Sequence, residues 1–192
     1  MQVIINNIYW MGFNSYLAVI PVLAGWLFYV TKGKIRKWIF GIIWLAYLPN
    51  TIYIITDLQH IPQNWAEVGN FGRIILIFEY IVLEITGILS FIFALYPFEK
   101  VLKTSRRIKN KQNTREIIII LNFLIGFGMV LGRIERINSW DILTQIQRVY
   151  AACVHVFQVP QLLFLALLYG LTANVIYFTF AKPIINFFSI DK

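Results

Sequence analysis

The stretch WIFGIIWLAYLPNTIYIITDLQHI, Trp38 to Ile61, begins as an apolar run and ends with polar residues at 50, 53, 57 and 60. On a helix, at about 100° per residue, those four positions fall within an arc of roughly 80°. Asn50, Tyr53, Asp57 and His60 therefore share one face. In lipid such a stripe carries a large desolvation cost, so it must look onto a partner helix or a wet cavity. The stretch thus predicts a membrane-spanning helix and the address of a polar site.

The rest of the chain agrees with a membrane reading. It is 59% apolar, 17% aromatic and only 14% charged, with a mean hydropathy of +0.69, far from the balance of a soluble domain. Apolar runs long enough to cross a bilayer recur at 9–31, 38–56, 74–98, 116–132 and 159–181. The expected fold is an all-α, polytopic transmembrane helical bundle of about five spans, in a single integral membrane domain over residues 1–192. The first run lacks a basic leader and is longer than the core of a secretion signal, so it reads as a retained span. Residues 142–158 are apolar but carry Gln145, Gln147, Arg148 and His155, which predicts an interfacial or half-buried helix, with a sixth, irregular membrane segment as the alternative. The single cysteine, Cys153, rules out an internal disulfide and reads as small apolar packing.

Orientation follows from the basic residues. The link after the first span holds Lys32, Lys34, Arg36 and Lys37. The link after the third holds Lys100, Lys103, Arg106, Arg107, Lys109, Lys111 and Arg115, and the tail adds Lys182 and Lys192, giving 13 of the 17 Lys and Arg on one side. Arg73, Arg133, Arg136 and Arg148 remain for the other. The positive-inside rule then puts the N-terminus outside and the C-terminus in the cytoplasm, in the cytoplasmic membrane of the cell. The net charge of +8 is largely this topology signal. Nucleic acid is not an expected partner, because the cations are split between membrane-flanking links without aromatic interleaving; attraction of the long basic link to anionic lipid is the expected consequence.

With that topology the two residue-rich links, 57–73 and 133–145, open on one face. Pro49 frees the carbonyl of Leu45, for which the next residue, Asn50, is an available donor. Asp57 and His60 are spaced i, i+3, close enough to serve one ion or proton. The sequence leaves three readings open for them: a catalytic acid–base pair in which Asp57 orients His60, a divalent metal site needing a third ligand from Glu67, Glu135, Asp141 or His155, or an exposed helix end with a loose ion pair. No cofactor signature is present. Arg133 and Arg136 cap the fourth span and, beside Asp57 and His60, would suit a phosphate or carboxylate. Candidate substrate-binding residues are Asn50, Tyr53, Arg133, Arg136, Asn138 and Asp141. Trp65 and Trp140 read first as interfacial anchors. Glu79 and Glu84 lie in the third span and, five residues apart, cannot both face one pocket; Glu79 is the nearer to the two links.

The segment LPNTIYIITDLQHI, followed by a Trp-containing loop and later by GRIERINSWDILT, resembles the membrane family termed domain of unknown function 1361. Its members show a similar LPN-x-x-Y-x-x-TD-x-x-H segment and an arginine-containing run ending in NSWD. The resemblance singles out Pro49, Asn50, Tyr53, Thr56, Asp57 and His60 in the first motif, and Gly132, Arg133, Asn138, Ser139, Trp140 and Asp141 in the second. It implies no activity.

Three functions fit these residues. One is an enzyme or binding protein for an anionic lipid or lipid-linked headgroup at the outer leaflet. A second is a small transporter or channel subunit, with Glu79, Glu84, Asn50 and Tyr53 along a path. A third is a non-catalytic subunit that docks a membrane-protein partner or a second copy of itself.

Overall fold

Where lipid replaces water, a span must satisfy its own backbone hydrogen bonds, and long apolar runs without charge do so as helices. The computed structural model describes residues 2–105 and 111–188, and every regular element among them is helical. In order these are α1 (Gln2–Val30), α2 (Lys34–Tyr47), α3 (Pro49–Tyr53), a 3-10 segment (Ile54–His60), α4 (Ile61–Glu67), α5 (Asn70–Thr104), α6 (Lys111–Arg133), α7 (Asp141–Thr144), α8 (Ile146–Gln158) and α9 (Pro160–Phe187). Five stretches are long and apolar enough to cross a membrane: Gln2–Val30, Lys34–Glu67, Asn70–Thr104, Gln112–Arg133 and Pro160–Phe187. These are the five expected spans, and the chain is a multi-pass membrane protein. Arg106, Arg107, Lys109 and Lys192, counted in the charge asymmetry, lie outside the described residues.

The second span departs from expectation at its end. It continues past Thr56 as a 3-10 segment and α4, so the expected loop at 57–67 is helical. Pro62 does not stop it, because a proline in the first turn of a helix has no bonded N–H to lose. Residues 142–158 form α7 and α8. The 13 residues of α8 reach only about 20 Å, too short for a hydrocarbon core of about 30 Å. It packs through Ala152 and Val156 and leaves Arg148, Tyr150 and Phe157 exposed, as an amphipathic interfacial helix does. Cys153 sits half-buried on it; burial pushes its thiol above the ordinary value, leaving a protonated packing group.

Two helix pairs make the frame, α1 with α5 and α6 with α9, and the α3 to 3-10 stretch is wedged among α1, α5 and α6. Trp44 anchors one end by donating its indole N–H to the Ala94 carbonyl at 2.8 Å. Gly25 permits this, since a Cβ there would lie 2.9 Å from that same carbonyl oxygen. Between α6 and α9 a buried amide pair crosses the seam: Asn122 donates to Asn174 Oδ1 at 3.0 Å, and Asn174 donates to the Gly170 carbonyl at 2.9 Å. Replacing Asn122 by Leu removes the interhelical bond, and the expected loss is about 1–2 kcal/mol. Chemical unfolding of the purified protein in detergent measures it; an unchanged midpoint would mean that the amides do not hold this seam.

Candidate functional site

The 3-10 geometry decides how the polar stripe is presented. In a 3-10 helix residues i and i+3 eclipse on one edge, about 6 Å apart along the axis. Asp57 and His60 therefore share an edge of the Ile54–His60 segment, but no direct bond joins them among the described contacts. The space between them is filled by the guanidinium of Arg133, which enters from the end of α6.

Every N–H of Arg133 has an acceptor in the protein. Nη1 donates to the Tyr53 hydroxyl at 3.0 Å and to Asp57 Oδ1 at 3.1 Å. Nη2 donates to the Thr56 carbonyl at 3.0 Å and faces His60 Nε2 at 3.4 Å. With its amide oxygen turned toward the arginine, Gln59 accepts from Nε at 3.0 Å and from Nη2. The guanidinium also stacks over the Tyr53 ring, 4.9 Å from its centroid. Asp57, which is buried, accepts at its second oxygen from the Asn14 amide of α1 at 2.9 Å. Three spans are thus tied at one ion pair. The His60 ring meets Trp10 edge-on at 5.7 Å.

A separate network lies beside this hub. Asn7 accepts from Trp10 at 3.0 Å and from Asn64 at 3.1 Å, and donates to Glu79 at 3.3 Å. Glu79, the expected contributor from the third span, is therefore joined to α1 and, through Asn7, to α4. Among the described residues, Oε1 of Glu79 and of Glu84 has no hydrogen-bond partner.

The second motif builds a lid. The chain leaves α6 through Arg136, whose backbone is left-handed with φ 54°, and the Ile137 N–H returns to the Leu131 carbonyl at 3.0 Å. This reversal lays Ile137, Asn138 and Ser139 back over the end of α3. Asn50 reaches across to Ser139 Oγ at 3.1 Å, so the expected cap on the Leu45 carbonyl is not its role. Asp141 is buried, but it faces its own turn: it accepts from the Asn138 backbone at 2.8 Å and from Gln145 at 3.4 Å, with Arg148 Nη1 at 3.9 Å. Arg148 also donates to the Arg136 carbonyl at 3.1 Å. The structure therefore gathers Tyr53, Asp57, His60 and Arg133 at the hub and Asn50 and Asn138 at the lid. Asp141 and Arg136 shape the lid turn and make no bond to Asp57.

Sequence reasoning missed Asn14 and Gln59, and with them Asn7. The signal for two of these was present: Asn7 and Asn14 are seven apart, two helical turns, on one face of an apolar span. Among the described residues no group of three or more His, Cys, Asp and Glu is placed to hold a metal ion.

Two openings border the lid. A polar mouth of about 140 Å³ is walled by Phe13, Asn14, Leu17, Asn50, Tyr53 and the 137–140 turn. A larger cleft of about 420 Å³ runs between α2–α3 and α6, walled largely by apolar residues such as Leu45, Pro49, Leu124 and Gly128. They share Asn50, Tyr53, Gly132, Ile137, Asn138 and Ser139. Gly132 keeps the junction open, and Gly128 lets Pro49 approach, since a Cβ there would lie 2.6 Å from the proline Cγ.

Fold and site together define a multi-pass helical membrane protein in which a polar mouth and an apolar cleft lie beside a buried ion pair. The chain belongs to the family described as protein of unknown function (DUF1361), whose model matches residues 13–176. Neither a curated protein nor a solved structure matches it.

Proposed function

We propose that this protein binds a membrane amphiphile, a lipid or lipid-linked molecule, at the extracytoplasmic face. Its tail occupies the cleft between α2–α3 and α6, and its head lies in the polar mouth. The carrying observation is that a polar mouth and an apolar cleft are lined in part by the same six residues. Leu45 and Leu124 on the cleft wall are about half exposed, at 51% and 58%, so the cleft opens sideways toward lipid. The side of the membrane rests on the charge asymmetry.

Binding is better supported than catalysis. His60 lines a small opening with Trp10 and Asn64, and neither it nor Asp57 lines the mouth. Arg133 has no donor left for an anion. Arg136 is exposed and does not line the mouth, and its side chain has no protein partner among the described contacts.

The test is to fill the cleft. Leu124→Trp places an indole where the tail would lie. Protein purified from membranes is expected to carry bound lipid visible by native mass spectrometry, and the variant to bind it about tenfold more weakly. Equal lipid retention by variant and parent would remove the cleft as the binding site.

A further inference from the structure

We infer that the mouth selects a hydroxyl-rich, uncharged headgroup, a sugar or polyol, over a bare phosphate. This rests on the amphiphile reading and names the class of its head. The first argument is charge. Among the described residues no Asp, Glu, Lys or Arg lines the mouth, and the Asp57–Arg133 ion pair is closed on itself at 3.1 Å. An anionic head inside the mouth would be desolvated with no counter-charge.

The second argument is the sign of the hydrogen-bonding groups. Asn14 spends an amide N–H on the Asp57 carboxylate, and Asn138 turns its amide nitrogen toward Asp141. A carboxylate accepts and does not donate, so chemistry fixes both orientations. Asn50 likewise donates to Ser139. The Oδ1 atoms of all three remain without a protein partner among the described contacts. Tyr53 and Ser139 each accept one bond, which leaves their hydroxyl hydrogens to donate. Each amide nitrogen also keeps a second N–H, so the mouth offers three carbonyl acceptors, three amide donors and two hydroxyls, donors and acceptors together. A phosphate brings only acceptors, whereas a vicinal diol brings a donor and an acceptor at each oxygen.

The third argument is shape. Phe13 and Trp140 stand in the same wall, flat apolar faces suited to the C–H face of a ring. About 140 Å³ is room for one such ring and not for a large oligosaccharide.

The experiment titrates the purified protein in detergent micelles with four dispersed lipids of equal chain length: a monoglycosyl diacylglycerol, phosphatidylglycerol, phosphatidic acid and diacylglycerol. Binding is read by Trp fluorescence and native mass spectrometry. The glycosyl lipid is expected to bind at least about tenfold tighter than phosphatidic acid or diacylglycerol, with phosphatidylglycerol between them. Ser139→Ala should erase that preference while leaving diacylglycerol binding unchanged. Phosphatidic acid binding as tightly as the glycosyl lipid overturns the headgroup inference and leaves the amphiphile reading standing. A preference that survives Ser139→Ala and Trp140→Ala alike would also overturn it. A methyl glycoside that binds as tightly as the glycosyl lipid, with Leu124→Trp silent, would keep the hydroxyl-rich head but end the amphiphile reading. Failure of all four lipids to bind ends both.

Discussion

Asp57→Ala is expected to destabilise the folded bundle by about 3–5 kcal/mol, the cost of leaving a buried guanidinium without its counter-charge. The carboxylate is 2% exposed and the guanidinium 15%, so little water reaches either to soften the loss. Arg133 would keep its bonds to Tyr53 and Thr56 but lose its counter-anion, and Asn14 would lose its acceptor. Asp57→Asn should cost less, because an amide oxygen can still accept from Arg133 while the charge is lost. The double variant Asp57→Leu, Arg133→Met removes both charges, and its cost should fall short of the summed single costs by at least about 1.5 kcal/mol. Denaturant titration in one detergent of the parent, Asp57→Leu, Arg133→Met and the double variant measures the coupling. Additive costs would show that the pair is not a unit.

That hub was half legible in the sequence. Periodicity placed Asn50, Tyr53, Asp57 and His60 on one face, and charge counting set Arg133 on the same side of the membrane as Asp57. The partner of Asp57 was not legible, since i, i+3 spacing pointed to His60. The chain tightens into a 3-10 segment after Pro49, and the larger rise per residue opens a gap that a long, flat, five-donor side chain can enter. Nothing in the local sequence says that the arginine will come from 76 residues away. Asp141 fails as a site residue for a similar reason. Its neighbours Asn138 and Gln145 supply a complete set of local donors, so it closes its own turn before any distant group can reach it. The five spans were readable because length and hydropathy alone decide them. The helical path from Thr56 to Glu67 was not, because a run with Asp57, Gln59, His60 and Pro62 reads as a loop until the proline is seen to occupy a first turn.

The seam between α6 and α9 should be the least tolerant place in the molecule. A Cβ on Gly126 would press on the backbone of Gly170 and on the Ala166 carbonyl, and one on Gly170 would come within 2.8 Å of the Phe123 Cα. These are backbone atoms, so no rotamer change relieves the clash. Ala166, Gly170 and Asn174 repeat every four residues on α9, which lets the two helices approach closely, and in lipid that close packing, with the Asn122–Asn174 bond, is what drives association. Gly126→Ala is expected to cost about 1–3 kcal/mol, and Gly126→Leu more, because each added carbon forces the helix axes apart along the whole seam. The matched control is Gly12→Ala, where nothing lies within 4 Å of the added methyl; there the better helix propensity of alanine should leave stability unchanged or raise it by up to about 1 kcal/mol. Unfolding midpoints measured side by side decide the matter. If Gly126→Ala and Gly12→Ala shift stability alike, the α6–α9 contact does not depend on the absent side chain, and the close crossing would have to be held by something else.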